Sequence, residues 1–181
     1  MSKLDIIIGP MFGGKSTELI RRIRKLDVLN KQYASIKPTV DNRYSNNKIV
    51  SHNNDKINCN CYNLINDFIK KTELKNMDSV FIEEGQFFND LKEGVIKLVE
   101  EFNCNVVIVG LDGDSNRNKF GQILDLIPYS DTCVKITALC KRCNDGTPAI
   151  FSHRKNENKN QVEVGADMYE SLCRKHYLEL N

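Results

Sequence analysis

Gly9-Pro10-Met11-Phe12-Gly13-Gly14-Lys15-Ser16 reads G-x-x-x-x-G-K-[ST], the spacing of a loop that cradles phosphates. Gly9 and Gly14 free the backbone to curl so that its N–H groups face an anion. Lys15 would reach the β- and γ-phosphates of a nucleoside triphosphate, and the Ser16 hydroxyl would ligate Mg²⁺. A second group is the carboxylate pair Glu83-Glu84, which follows the apolar run Ser79-Val80-Phe81-Ile82. One acid can hold the Mg²⁺ shell, and the other can accept a proton from an attacking hydroxyl. Neighbouring side chains on a strand point to opposite faces, so the two acids are expected to hold different roles.

A third group is Cys140-Lys141-Arg142-Cys143 with Cys173-Arg174-Lys175-His176, C-x₂-C followed by C-x₂-H. Three thiolates and one imidazole in paired turns suit a closed, tetrahedral, structural Zn²⁺ site. A redox C-x₂-C would leave the second pair unexplained. Lys and Arg between the ligands would lower the thiolate pKa values. Asp167 and Glu170 read as a capping box, which places the second ligand pair at the end of a short helix. Cys104 and Cys133 adjoin apolar runs and are expected in or near the core. Cys59 and Cys61 show no ligand spacing.

These groups need elements to position them. Five apolar, β-branched runs read as buried strands: residues 4–8, 33–36, 79–82, 105–109 and 134–139. Residues 16–29 carry Leu19, Ile23 and Leu26 at helical spacing, which puts a helix N-terminus beneath the phosphates. Leu64, Ile65, Phe68 and Ile69 mark a second helical face, and Leu91, Val95, Leu98 and Phe102 a third. Strand and helix alternate, so the fold class is α/β: a mostly parallel sheet of the P-loop NTPase kind with flanking helices. The polar stretch 41–56 interrupts the pattern. The polar stretch 112–119 suits a loop over a phosphate site. After Leu139 the composition turns to Cys, Gly, Pro and charge. A domain boundary is placed there, giving a phosphate-binding α/β domain 1–139 and a small zinc-anchored domain 140–181 whose polar excursion depends on its metal.

Composition bounds the rest. Hydrophobic residues make up 40% and charged residues 28%, as in ordinary soluble globular proteins. A net charge of +2 supports neither a nucleic-acid nor a membrane partner. No apolar run approaches the ~20 residues of a membrane span. The chain enters its first strand within a few residues, leaving no room for a signal peptide, so a cytoplasmic address is expected. In that compartment the seven cysteines are reduced, metal-bound or incidental.

Together these motifs resemble the cellular and poxviral type of thymidine kinase, also called type II. The resemblance rests on GPMFGGKSTELIRR (9–22), DNRYS (41–45), EEGQFF (83–88), GLDGDSNRNKFG (110–121), KITALCKRC (135–143) and VEVGADMYESLCRKHY (162–177). It implies ATP-dependent phosphorylation of the 5′-hydroxyl of thymidine to thymidine monophosphate. It also implies a zinc-anchored lasso over the nucleoside, a homotetramer, and inhibition by the end product dTTP. By the resemblance, residues 9–16 hold the phosphates, with Asp41 and Arg43 near phosphates and metal. Glu83 takes the Mg²⁺ role, Glu84 is the general base, and Gln86 sits near the site. Met11, Phe87, Leu111 and Phe120 pack around the base. Gln161, Val162, Glu163, Val164 and Gly165, with Tyr169, line the lasso, and Cys140, Cys143, Cys173 and His176 bind zinc. Three features depart from the family pattern. Glu83 replaces the usual Asp, Ser115 stands where many members carry an aromatic residue beside the base, and 144–148 reads as a small insertion.

Overall fold

A computed structural model describes residues 1–41, 47–51, 54–156, 161 and 165–180. Its centre is a six-stranded parallel sheet. The strands are β1 (Leu4–Ile8), β2 (Tyr33–Pro38), β5 (Asn60–Tyr62), β6 (Ser79–Ile82), β7 (Asn105–Gly110) and β8 (Thr132–Lys135), in the order β5-β2-β6-β7-β1-β8. All six run the same way, so their carboxyl ends open along one edge of the sheet. The apolar runs are nearly continuous because both faces are covered.

Alternation along each strand sorts the core into two layers. Leu4, Ile6, Ile8, Val80, Ile82, Val106 and Ile108 face α2 (Ile65–Lys71) and α3 (Leu91–Ile96). Ile7, Phe81, Val107 and Val109 face α1 (Lys15–Val28), which buries Leu19, Ile20 and Ile23. A short antiparallel pair, β3 (Lys48–Val50) with β4 (Lys56–Asn58), closes this second layer by burying Ile49. Expected helix 16–29 thus lies at 15–28. Gly14, with φ 81°, occupies its N-cap in the left-handed conformation that glycine adopts at little cost.

A third cluster lies beyond the sheet. It gathers Ala138, Cys140, Ala149, Leu172, Cys173 and Tyr177. They come from two antiparallel pairs, β9 (Ala138–Leu139) with β10 (Pro148–Ala149) and β11 (Phe151–Arg154) with β12 (Tyr169–Leu172), and from α4 (Arg174–Glu179).

Four local expectations change. The run 134–139 is not one strand. β8 ends at Lys135, and β9 begins at Ala138 in a different sheet. The break falls where the Ile136 carbonyl comes so close to Gly9 that a Cβ there would collide with it. Cys133 is exposed on the edge strand, whereas Cys104 is buried. Phe102, at 40% exposure, falls off the buried helical face, because the turn 97–101 is widened to a π-helix and rotates it outward. Asp167 and Glu170 form no capping box. Asp167 lies in a 3₁₀ turn, and Glu170 lies in β12, where it accepts from Arg142 at 2.9 Å. The helix starts at the second ligand pair instead of ending there: Cys173 is its N-cap residue and His176 lies within it.

Candidate active site

The loop after β1 and the first turn of α1 border a cavity at the carboxyl edge of the sheet. Met11, Phe12, Gly13, Gly14, Lys15 and Ser16 line it from one side. Asp41, Glu83, Glu84 and Leu111 line it from the other. Gly9 and Pro10 lie beneath, their carbonyls accepting from the buried Lys15 ammonium at 3.0 and 2.7 Å. The cation is thereby held at the loop, within reach of a phosphate chain.

The two acids follow β6 directly. Glu83 Oε1 accepts from the Ser16 hydroxyl at 2.5 Å, while Oε2 is buried and has no hydrogen-bond partner among the described residues. Burial pushes the Glu83 carboxyl up to about 8, and the neighbouring Glu84 adds to the shift. A buried, orphaned carboxylate oxygen beside a hydroxyl is the donor set a hard dication takes, so these residues fit Mg²⁺. Glu84 adopts φ 50°, ψ 45°, a left-handed conformation that a non-glycine residue holds only when its surroundings impose it. Strand alternation does not separate the acids, because β6 ends at Ile82 and both line the same cavity. The backbone turn at Glu84 separates them.

Glu84 also borders a second cavity. Met11, Phe87, Leu111, Ser115, Phe120 and Tyr169 line it, with Gln86, Gln161 and Gly165. Phe87 and Phe120 meet edge to face, centroids 5.3 Å apart. Gln86 donates to Glu84 at 2.6 Å and accepts from the Leu111 N–H at 3.0 Å. Its placement depends on two glycines, because a Cβ at Gly110 would strike its amide oxygen and one at Gly121 its carbonyl. Of the polar loop 112–119, Gly113, Asp114 and Ser115 line this cavity, and none of its residues lines the one beside the 9–16 loop. Arg43, Val162, Glu163 and Val164 lie outside the described residues.

Sequence reasoning missed four residues. Lys37, fully buried in β2, lines the phosphate-side cavity 3.6 Å from Asp41. A lone lysine in an otherwise apolar strand was its only signal. Asp114 caps its own loop by accepting from the Asn116 and Asn118 N–H groups, each at 2.9 Å, and from Gln161 at 3.0 Å. Ser152 accepts from the Met11 N–H at 2.9 Å, and Tyr177 donates to the Ser115 carbonyl at 2.6 Å. The Ser152 and Tyr177 contacts join distant segments and leave no local pattern.

Cys140, Cys143, Cys173 and His176 converge as their spacing implied. Their ligand atoms all lie within 4.8 Å of one another, and Cys143 and Cys173 are 3.8 Å apart at sulfur. That is far beyond a disulfide and close to the roughly 3.8 Å that two ~2.3 Å zinc–sulfur bonds subtend at a tetrahedral centre. The set fits zinc. Burial raises the Cys140 thiol, but main-chain N–H groups of Cys173, Cys143 and Arg142, with the His176 ring, outweigh it and hold the thiol at about 6. At Cys140 main-chain donors and the His176 ring, and not the Lys141 or Arg142 side chains, favour the thiolate, whereas desolvation and the neighbouring thiols raise Cys143 to about 11.

Residues 2–177 match the family model described as thymidine kinase. This chain belongs to the thymidine kinase family. It is 40% identical to a thymidine kinase of Oryza sativa subsp. japonica over 182 residues, covering 98% of this chain and 66% of that relative. Thymidine kinase a of Arabidopsis thaliana is 39% identical, covering 97% of this chain and 74% of its own length. The thymidine kinase of Vaccinia virus (strain Western Reserve) is 37% identical, with 97% of both chains covered. The chain therefore spans just under two thirds of the rice relative and nearly all of the poxviral one. Among the described residues, no helix is long and apolar enough to cross a membrane.

Proposed function

We propose that this chain transfers the γ-phosphoryl group of ATP to the 5′-hydroxyl of thymidine, with Glu84 as the general base. The observation that carries the reading is the position of Glu84 on both cavities. A phosphate chain in one and a nucleoside in the other would meet at its carboxylate, where an acceptor hydroxyl must lose its proton. Residues 9–16, with Lys15 and the buried Lys37, supply the cationic cradle for the triphosphate. Ser16 and Glu83 would hold Mg²⁺, which supplies charge neutralisation on the phosphates. Asp41 steadies Lys37, and Gln86 orients Glu84. The aromatic pair Phe87–Phe120, with Met11 and Leu111, forms the apolar wall for the base. Asp114 and Gln161 provide its polar rim.

We read 1–139 as the catalytic domain and 140–181 as a lobe that Cys140, Cys143, Cys173 and His176 anchor through zinc. Zinc there supplies cross-linking, not chemistry. The resemblance to type II thymidine kinases further supports a homotetramer and dTTP as end-product inhibitor. A reduced-thiol donor set suits a cytoplasmic address. The decisive experiment compares phosphorylation of thymidine, deoxycytidine and uridine side by side with ATP. Thymidine is expected to be strongly preferred; equal turnover of deoxycytidine would overturn the assignment.

A further inference from the structure

Tyr177 lies on neither cavity, yet it joins the Cys/His cluster to the wall of one of them. It follows His176 directly in α4 and is 2% exposed. Its hydroxyl donates to the main-chain carbonyl of Ser115 at 2.6 Å, a buried contact across 62 residues of chain. Its ring packs on Phe151, with centroids 4.8 Å apart. The Arg117 guanidinium lies 4.8 Å over the same ring and 5.6 Å over Phe151. Ser115 and Arg117 belong to one tight loop, tied by the Asp114 carboxylate and by a bridge between Gly113 and Lys119. A loop braced in that way moves as a unit. Whatever positions the Ser115 carbonyl therefore positions the whole wall.

We propose that Tyr177 is a positioning residue for nucleoside recognition. Its hydroxyl fixes the Ser115 loop at a distance set by the Cys/His cluster, so that the cluster, when it holds zinc, tightens nucleoside binding through a contact that does not touch the phosphate loop. Two facts set its direction. Tyr177 sits one residue from a ligand, on a helix whose N-cap is another ligand, so the cluster dictates where the ring stands. The contact reaches the second cavity and no residue of the phosphate loop. Removing the hydroxyl would leave the Ser115 carbonyl buried without this donor and free the loop to shift. The inference rests on the reading of the second cavity as the nucleoside site.

Tyr177→Phe tests it, because the ring, its packing and the Arg117 stacking remain. The expected result is a thymidine Kd, measured calorimetrically without ATP, weakened on the order of tenfold. The thymidine KM should rise in parallel, with kcat and the ATP KM within about twofold of wild type and zinc content unchanged. Chelation should weaken thymidine binding less in the variant than in wild type, since the link it breaks is already gone. If Tyr177→Phe folds poorly, Arg117→Gln loosens the same loop from its other side and should give the same selective loss. Unaltered thymidine affinity, or equal losses for thymidine and ATP, would overturn the proposal. A wild-type chain that binds no thymidine would sink the functional reading itself. A wild type that binds it while Tyr177→Phe binds it equally well sinks this inference alone.

Discussion

Glu83 is a carboxyl whose proton affinity differs sharply between folded and unfolded chains. Its ordinary value is 4.5, and burial beside Glu84 raises it to about 8 in the folded protein. Between those values the folded state keeps a proton that the unfolded state has lost. Stability therefore falls as pH rises from about 4.5 to 8, and the penalty is complete above 8. Glu83→Gln removes this charge yet keeps an oxygen to accept from Ser16. Without nucleotide or Mg²⁺, the variant is expected to melt at a higher temperature than wild type at pH 8.5, the two converging toward pH 5. A less stable variant at pH 8.5 would contradict the burial argument. In activity the same substitution should displace the Mg²⁺ dependence. Glu84→Gln should instead lower kcat by about 10²-fold or more with thymidine affinity nearly intact, because a base acts only in the transition state. Rapid-quench kinetics with parallel thymidine titrations separate the two phenotypes, and an exchange of them would refute this division of roles between the acids.

At the scale of elements, the strands that sequence period located well are those buried on both faces. β1 and β6 match their expected limits, and β7 extends one residue further, to Gly110. β3, β4 and β5 have three residues each and mixed polarity. They carry too little pattern to be read and exist because a neighbour supplies their hydrogen bonds. β8 is entirely exposed and holds its place by pairing with β1 and by the Lys135–Asp112 ion pair. Packing also overrides propensity within helices. Gly94 lies inside α3 and is buried, although glycine costs about 1 kcal/mol there relative to alanine. A Cβ at this position would lie 2.5 Å from Ile65 Cβ on α2. Gly94→Ala is thus expected to destabilise the fold, because an overpacking cost of about 1–3 kcal/mol exceeds the propensity gain. Urea unfolding will measure it, and a raised midpoint would show that α2 yields without cost.

At the scale of the whole molecule, the cavities share a floor and differ in their walls. Sheet, phosphate loop and acids belong to the α/β body, whereas Ser152, Gln161 and Tyr169 bring the C-terminal region to the second cavity. The α/β layers bury two large apolar clusters, and among the described residues the C-terminal cluster has six buried apolar or cysteine residues. Under the zinc reading proposed above, so small a core would depend on its metal. Chelation should therefore raise the thymidine KM and increase proteolytic cleavage within 144–172, while the far-UV spectrum of the α/β body persists. Loss of the whole spectrum at the same chelator concentration would mean that the two parts unfold as one.

What the sequence determined by itself was the chemistry and its approximate stage. The eight-residue phosphate loop, the acidic pair and the four metal ligands are encoded in short spacings, because each group acts through neighbours in the chain. The two core layers are encoded in strand period for the same reason. Tertiary structure alone decided how the acids divide, since a left-handed turn at Glu84, and not the strand pleat, aims them. It alone brought Lys37 to the cavity beside the 9–16 loop, seated Gln86 between Gly110 and Gly121, and set Tyr177 against Ser115. Those contacts join residues tens of positions apart, and closing such distances depends on the whole core, not on any local pattern.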